Sequence, residues 1–299
     1  MIIVLGSLHI DLITRTDRIP RLGETVWGGE FTVSPGGKGM NQAVAASRLG
    51  RKVEFVGSIG DDHFGRILKD RLKEERIATT HLKISDQPTG TASIMVDSDG
   101  DNIISVAPGA DKALTLEDLE EIDGLLGDAS VFMAQLEMPD EIVMRGLEKA
   151  SEAGVKTVLN LAPARKLPDR TLKMVDVLVL NDLEVRDLGE SDSVEEAAQN
   201  VIDQGPHAVV VTLGKKGSML ASEGENIVVP GIEVKAVDTT GAGDAFCGGL
   251  AAALDRGETL QEAVKLGNLA GALSTTKMGA QEALPTRAEI EECKKQMGI

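Results

Sequence analysis

The run Val237-Asp-Thr-Thr-Gly-Ala-Gly-Asp-Ala-Phe-Cys-Gly-Gly249 gathers the residues best suited to chemistry. Asp244 follows Gly241, Ala242 and Gly243 and opens an Ala-rich apolar segment, where a loop feeds a buried helix. Glycines allow close backbone approach to a ligand. First-turn amides have no intrahelical acceptors, and the helix dipole favours an anion there. A carboxylate in that place does nothing for anion binding. It suits a reaction in which a hydroxyl gives its proton to the carboxylate while the amides receive negative charge. Asp is also a favoured N-cap, so this stretch alone leaves a structural role open.

Other groups extend the pattern. In Leu8-His9-Ile10-Asp11, His9 and Asp11 share one face of an extended chain just past a strand. Ser34-Pro-Gly-Gly-Lys-Gly-Met-Asn41 is a glycine loop containing Gly37, Lys38 and Asn41. It is no Walker A loop, because Gly39 and Met40 follow Lys38, and Gly6 to Asp11 fails the dinucleotide fingerprint. A tight turn before a helix is its plain alternative. Glu137 follows an apolar run at 131–136. Asn181 and Glu184 stand three apart after another. They suit hydrated Mg²⁺ and phosphate oxygens, or equally a capping box. Thr212-Leu-Gly-Lys-Lys-Gly217, with Gly214 and Gly217, closes a further strand, as a ligand crevice or a lysine-bearing turn. Asp11, Glu137, Asn181, Thr212 and Asp244 all follow expected strands.

The elements that must position these residues change rhythm along the chain. Short alternating runs at 12–33, including 24–28 and 30–33, read as antiparallel strands. Strands at 90–96 and 102–106 flank the turn Ser98-Asp-Gly100. Helices are expected at 42–49 and 66–75, and a strand at 53–59. From about 114, helices at 116–126, 140–153 and 193–204 alternate with strands at 131–136, 156–161, 175–180 and 208–213. A small hairpin follows at 219–221 and 226–230, then helices at roughly 243–254, 259–277 and 286–297. Such alternation means a mainly parallel sheet covered on both faces. Segments 12–33 and 90–107 fall outside it and read as a small β appendage made by two insertions.

Composition bounds the function. The chain has 299 residues, 42% hydrophobic, enough for a sizeable core. Aromatics are 2%, with no Tyr, so stacking platforms for single-stranded nucleic acid are lacking. A formal net charge of -17 argues against nucleic acid and anionic membranes. Cys247 and Cys293 form no disulfide framework, so a reducing cytoplasm is expected. Residues 1–5 have no basic leader character and read as a first strand. No apolar run approaches the ~20 residues of a membrane span.

In this order and spacing the motifs resemble the PfkB carbohydrate kinases, and within them the ribokinases most closely. The resemblance runs from Gly6-Ser7 through Gly23-Glu-Thr-Val26, the loop at 36–45, Gln135-Leu-Glu137, Asn160-Leu-Ala-Pro-Ala-Arg165 and Asn181-Asp-Leu-Glu184. It ends with Asp238-Thr-Thr-Gly-Ala-Gly-Asp244 and Gly279-Ala-Gln281, so nearly the whole chain is covered. It implies a ribokinase-like three-layer α/β/α fold, residues 1–299 as one catalytic domain, and the β appendage as lid and dimer contact. It implies that His9, Asp11, Gly37, Lys38, Asn41 and Glu137 surround the sugar, and that Asp244 is the base. Gly241, Ala242 and Gly243 would then stabilise the transferred phosphoryl. Asn181, Thr212, Gly214, Gly217, Gly243 and Asn268 would meet ATP, and Glu184 would reach Mg²⁺ through water. K⁺ would lie among Asp238, Thr240, Ser274, Lys277, Gly279 and Ala283. Two departures stand out. His9 occupies a position usually held by Asn, and Ala283 one often held by Ser. The function expected is ATP-dependent phosphorylation of a pentose primary hydroxyl, most of all D-ribose. Rival readings are another acceptor (nucleoside, hexose or sugar phosphate) and a non-catalytic sugar- or nucleotide-binding regulator.

Overall fold

Ile2 and Val4 belong to one buried apolar cluster, Ile3 and Leu5 to another. Alternate residues of a strand point to opposite faces, so this strand must be covered on both. The computed structural model describes residues 1–222 and 224–298. In chain order the strands are β1 (Ile2–Leu5), β2 (His9–Thr16), β3 (Gly28–Gly36), β4 (Val53–Gly60), β5 (Ala78–Ser85), β6 (Gly90–Val96) and β7 (Asn102–Ala107). There follow β8 (Val131–Gln135), β9 (Lys156–Asn160), β10 (Val177–Asn181), β11 (Ala208–Thr212), β12 (Gly217–Ser222) and β13 (Glu225–Pro230). Nine form one sheet in the order β13-β12-β11-β10-β9-β8-β1-β4-β5, parallel from β11 to β5 and antiparallel at β12 and β13.

Helices α1 (Lys38–Arg48), α2 (His63–Glu74), α3 (Leu116–Glu120), α4 (Asp123–Leu126), α5 (Asp140–Glu152) and α6 (Asp169–Leu172) come first. They are followed by α7 (Asp182–Gly189), α8 (Val194–Ile202), α9 (Ala242–Asp255), α10 (Leu260–Ser274) and α11 (Arg287–Met297). Buried residues of α1, α2, α9, α10 and α11 join the cluster of Ile2 and Val4, and those of α3 to α8 join that of Ile3 and Leu5. The result is the three-layer α/β/α arrangement that the alternation of elements implies. Among the described residues, no helix is long and apolar enough to cross a membrane.

The second sheet has the order β3-β2-β6-β7. β2 pairs with β3 antiparallel and with β6 parallel. Several local expectations need correction. His9 and Asp11 do lie in extended chain just past β1, but that chain is itself a strand, β2, so the second sheet carries them. Residues 24–27 form no strand: the Glu24 amide donates to the Arg21 carbonyl at 3.0 Å and Arg18 pairs with the Glu24 carboxylate, closing a turn. The glycine loop is shorter than expected, because α1 begins at Lys38 and only Gly37, at φ 89°, breaks the chain between β3 and α1. β5 carries no clear strand signal in the sequence: it is an edge strand, paired with β4 alone, and five of its eight residues are polar. The helix expected over 116–126 is two short ones. The one expected to reach 277 stops at Ser274, where the Thr275 carbonyl accepts the amides of Val237 and Asp238. Asp244 follows no strand directly: residues 231–241 separate its helix, α9, from β13.

Candidate active site

The chain leaves β1 toward β4 and β5 on one side, and from β8 onward it fills the other. Open α/β sheets bind ligands where the strand order reverses in this way. Here the crevice lies between the carboxyl ends of β1 and β8, and Ser7 crosses it by donating to the Glu137 carboxylate. The Lys38 amide donates to the same oxygen at 2.9 Å, and the Met40 amide to the Ser7 carbonyl at 3.1 Å. The first turn of α1 therefore spends its amides on protein oxygens rather than forming a phosphate cradle. Its glycines serve close approach: a Cβ on Gly39 would lie 2.6 Å from the Gly6 Cα.

Asp244 enters this crevice from the first turn of α9 and is 8% exposed. The Asn41 Nδ2 donates to one carboxylate oxygen at 2.9 Å and the Gln42 Nε2 to the other at 3.0 Å. Gln42 is fully buried and fixed in turn. Its Nε2 also reaches the Asn160 Oδ1 at 3.0 Å, and its Oε1 accepts from Gln135 Nε2 at 2.7 Å. Burial pushes the Asp244 carboxyl above its usual range, while Lys38, Asn41 and Gln42 pull the other way. A carboxylate that holds a proton more readily than usual, and cannot rotate, suits a general base. The Asn41 Oδ1 is buried with no protein partner. Such an orphaned acceptor fits a ligand hydroxyl.

The Lys38 ammonium makes no hydrogen bond among the described residues. Burial opposes its charge, but Asp244, Glu137 and Glu184 outweigh this and hold its pKa above the ordinary value. Asp11 faces the same acidic pocket. Burial raises its carboxyl to about 6; His9 lowers it, while Glu137, Asp244 and Glu282 add to the rise. His9 is buried at 2% exposure with its Nε2 2.6 Å from the Asp111 Oδ2.

At the N-terminus of α9, Gly241 adopts φ 74° and the Ala242 amide donates to the Thr239 carbonyl at 3.2 Å. Ala242 is thus engaged in the turn. The amides of Gly243 and Asp244 meet no acceptor among the described residues, and a Cβ on Gly243 would meet nothing within 4 Å. Open space, free amides and the helix dipole coincide here.

Further along the strand ends, Asn181 and Thr212 are register neighbours on β10 and β11. Asn181 caps α7, accepting the Leu183 and Glu184 amides at 3.0 and 2.9 Å, and the Glu184 carboxylate accepts the Asn181 amide at 2.7 Å. The capping box is therefore real. It does not remove Glu184 from the site, because burial raises its carboxyl and the Lys38 charge acts on it. Gly214 and Gly217 take φ 58° and 98° in the turn after Thr212. A side chain on Gly217 would strike the Val229 carbonyl at 2.2 Å. Asn268 spends its amide hydrogens on the carbonyls of Val229 and Pro230, at 3.2 and 3.3 Å, and accepts from Ser218 Oγ. It fastens β13 to α10.

Asp238 joins two loops beside α9. It accepts the Thr240 amide and hydroxyl at 2.9 and 2.7 Å and the Gly279 amide at 2.9 Å. Ser274 and Ala283 are buried nearby in sequence, the Ser274 hydroxyl donating to the Gly271 carbonyl at 2.8 Å, and Lys277 pairs with Glu289. Among the described residues, no group of three or more His, Cys, Asp and Glu is arranged to hold a metal ion. Both Asp238 oxygens already accept the Thr240 and Gly279 hydrogen bonds, which leaves hydroxyl and main-chain oxygens as the remaining lone-pair donors beside α9.

Gln42, Asn160, Gln135, Ser7 and Asp111 were not given roles from sequence. A Gln on the buried face of an Ala-rich helix is a signal that could have exposed Gln42. Nothing local marks Asp111, which meets His9 from 102 positions away.

Residues 1–287 match the model of the pfkB family of carbohydrate kinases. The ribokinase of Haemophilus influenzae is 37% identical over 295 residues, covering 97% of this chain and 96% of that protein. The crystal structure of a Thermotoga maritima ribokinase superposes with a TM-score of 0.92 at 34% identity, covering 99% of both chains. An Arabidopsis thaliana ribokinase complexed with ribose and ATP gives 0.88 at 29% identity, with 97% of each chain covered. A clamped carboxylate in a crevice beside free helix amides, on this sheet order and with these relatives, makes the chain a member of the pfkB carbohydrate kinase family.

Proposed function

We propose that the protein is an ATP-dependent kinase that converts D-ribose to D-ribose 5-phosphate. The observation that carries this reading is Asp244, clamped by Asn41 and Gln42 in the same helical turn as the unpartnered amides of Gly243 and Asp244. Phosphoryl transfer asks mainly for positioning and charge stabilisation, and both are provided at one helix end. Asp11, Gly37, Lys38, Asn41 and Glu137 line the pocket in which the sugar sits, the orphaned Asn41 Oδ1 accepting one hydroxyl proton. Asp244 takes the proton of the primary hydroxyl. The oxygen then attacks the γ-phosphorus, the bond to the β-phosphate oxygen breaks, and ADP leaves. The free amides of Gly243 and Asp244 stabilise charge on the transferred group. That of Ala242 joins them only by giving up Thr239. Lys38, drawn by Asp244 on one side and Glu184 on the other, bridges sugar and nucleotide electrostatically.

ATP lies along the ends of β10 and β11, against Asn181, Thr212, Gly214 and Gly217. Asn268 shapes that cleft from behind. Glu184 would serve as the outer carboxylate for Mg²⁺ bound with the nucleotide, whose charge would neutralise the phosphates. K⁺ held by the Asp238 and Gly279 loops would add positive charge behind the α9 amides. Ala283 contributes no side-chain oxygen, so Asp238 and main-chain oxygens would bind it. We read residues 1–299 as one catalytic domain with the second sheet as its lid, excluding water from the γ-phosphate. The lid carries Phe31, Val33 and Ile103 on the face turned away from Asp11, at 42–61% exposure, apolar surface suited to pairing with a second copy. Both cysteines are free, in keeping with a cytoplasmic setting.

ADP release with Mg-ATP is to be measured on ribose, 2-deoxyribose, fructose, adenosine and ribose 1-phosphate, with and without K⁺. Turnover on ribose, raised by K⁺, is the expected result. Preference for another acceptor would keep the chemistry and replace the sugar. Silence on all five from folded, ATP-binding protein would defeat the kinase reading.

A further inference from the structure

Arg48 ends α1, and the phosphoryl-transfer chemistry does not use it. Its side chain is only 16% exposed. One edge of the guanidinium meets Glu75, just past α2. Nε lies 3.2 and 3.1 Å from the two carboxylate oxygens, and Nη2 lies 2.6 Å from one of them. Nη1 turns the other way and donates to the carbonyls of Gln281 and Leu284, at 2.7 and 2.9 Å. These carbonyls belong to the link between α10 and α11, residues 275–286, which runs as turns. Gln281, Ala283 and Leu284 are buried there. Buried carbonyls need donors, and in a stretch of turns a side chain supplies them. Arg71 and Ser34 also reach the link, at 3.3 and 3.2 Å, but they meet the side chains of Gln281 and Glu282. Arg48 holds its backbone.

The same link backs the first turn of α9. The Ala280 main chain packs on Gly241, where a Cβ would come within 3.2 Å of the Ala280 Cα, and the Gly279 amide donates to Asp238 at 2.9 Å. Asn41 and Arg48 stand seven residues apart on α1, two turns along one face. One end of α1 therefore holds the Asp244 carboxylate through Asn41, and the other holds the segment behind Gly241.

Resting on the sugar-kinase reading above, the geometry points to Arg48 as a positioning residue for phosphoryl transfer. By tying the 275–286 link to α1, it sets how the Asp244 carboxylate stands relative to the free amides of Gly243 and Asp244. It acts through the carbonyls of Gln281 and Leu284, not on the substrate. The task suits arginine. A planar guanidinium carries donors on two edges, so one side chain can hold a carboxylate and two carbonyls at once. A lysine ammonium is a compact point charge that can face Glu75 but does not span both partners. The contribution falls on kcat. Base and amides act together only in the transition state, whereas the contacts that bind ribose and ATP in the ground state are left in place.

The test compares Arg48→Lys with Glu75→Gln, by steady-state kinetics on ribose with Mg-ATP and by thermal melts. Arg48→Lys keeps the charge pair and loses the grip on the carbonyls. Its kcat should fall about 10- to 100-fold, as a small misplacement far from the chemistry does, while KM for both substrates stays within about twofold. Glu75→Gln breaks the charge pair and leaves the grip. Its melting temperature should fall, with kcat within about twofold of the wild type. Should Arg48→Lys not fold, the double variant Arg48→Gln/Glu75→Gln, which removes both charges together, takes its place with the same kcat loss expected. Three results overturn this inference and leave the kinase intact: an Arg48→Lys kcat equal to that of the wild type, a loss carried by KM instead of kcat, or equal kcat losses in Arg48→Lys and Glu75→Gln. A wild type that phosphorylates no sugar overturns both.

Discussion

Three side chains of the site, Asp244, Gln42 and Asp11, each carry their own consequence. Asp244→Asn keeps the shape and the Gln42 contact but removes the base. Sugar binding by calorimetry should persist while kcat falls by about 10²–10⁴-fold. Gln42 acts without touching substrate. Gln42→Leu leaves one Asp244 oxygen, Asn160 Oδ1 and Gln135 Nε2 without their partner. Each buried orphan costs roughly 1–3 kcal/mol, so thermal stability should fall. Kcat should fall more than KM for ribose changes, because the base loses its orientation and the sugar loses no contact. Asp11 has the opposite sign. Its folded carboxyl titrates at about 6 against an ordinary 3.8. A raised carboxyl gives stability that is complete below the unfolded value and is lost as pH rises through the folded one. The penalty at pH 8 is at most about 3 kcal/mol, the two-unit gap converted at 1.36 kcal/mol per unit. Asp11→Asn should raise the melting temperature at pH 8, with the gain vanishing toward pH 4, and should weaken ribose binding.

At the scale of elements, the site exists because α1 and α9 come unusually close. Gly248 lies one turn after Asp244 on the same face of α9. A Cβ there would meet the Ala45 Cβ at 2.4 Å and the Gln42 carbonyl at 2.9 Å. Gly248→Ala must therefore push the helices apart and lengthen the bonds from Asn41 and Gln42 to Asp244. Overpacking of this kind costs about 1–3 kcal/mol. We expect a lower melting temperature together with a kcat loss, although the residue never meets substrate. Gly124, in α4, has no atom within 4 Å of its Cβ position, so Gly124→Ala is the matched control. It should be neutral or stabilising by up to about 1 kcal/mol, with kcat unchanged. The same logic explains the glycine loop. It lets α1 reach the end of β1, where the Lys38 amide and Ser7 fix Glu137.

For the molecule as a whole, the two sheets divide the work. The main sheet, buried on both faces, supplies a rigid floor with Ser7, Glu137, Asn181 and Thr212 at its strand ends. The second sheet lays His9 and Asp11 over that floor and leaves β7 exposed along its length. Open apolar edges are covered in soluble proteins by a partner or by charge. Phe31→Glu combined with Ile103→Glu, on one face of that sheet, should convert a dimer to a monomer in sedimentation velocity, with a raised KM for ribose from a looser lid. A wild type already monomeric at micromolar concentration would remove the lid as an assembly surface.

The period of the apolar residues, together with glycines and capping residues at the ends of runs, was enough to specify alternating strands and helices and a parallel sheet. These signals are local: they depend on neighbours within a turn or a strand. Residues that act from within one loop were legible for the same reason, Asp244 with its glycines foremost, and the Asn181–Glu184 capping box likewise. What the chain did not announce are pairings across long separations. Asp244 meets Gln42 from 202 positions away and His9 meets Asp111 from 102. Nor does composition reveal which helix amides are already spent: those of α1 on Glu137 and Ser7, that of Ala242 on Thr239. Hydrogen bonds and burial depend on what the folded chain brings within 3 Å, which no local pattern encodes. Residue types and spacing therefore determined the reaction that could be done. Tertiary packing decided which carboxylate is raised, which amides stay free, and that His9 finds a buried partner in Asp111.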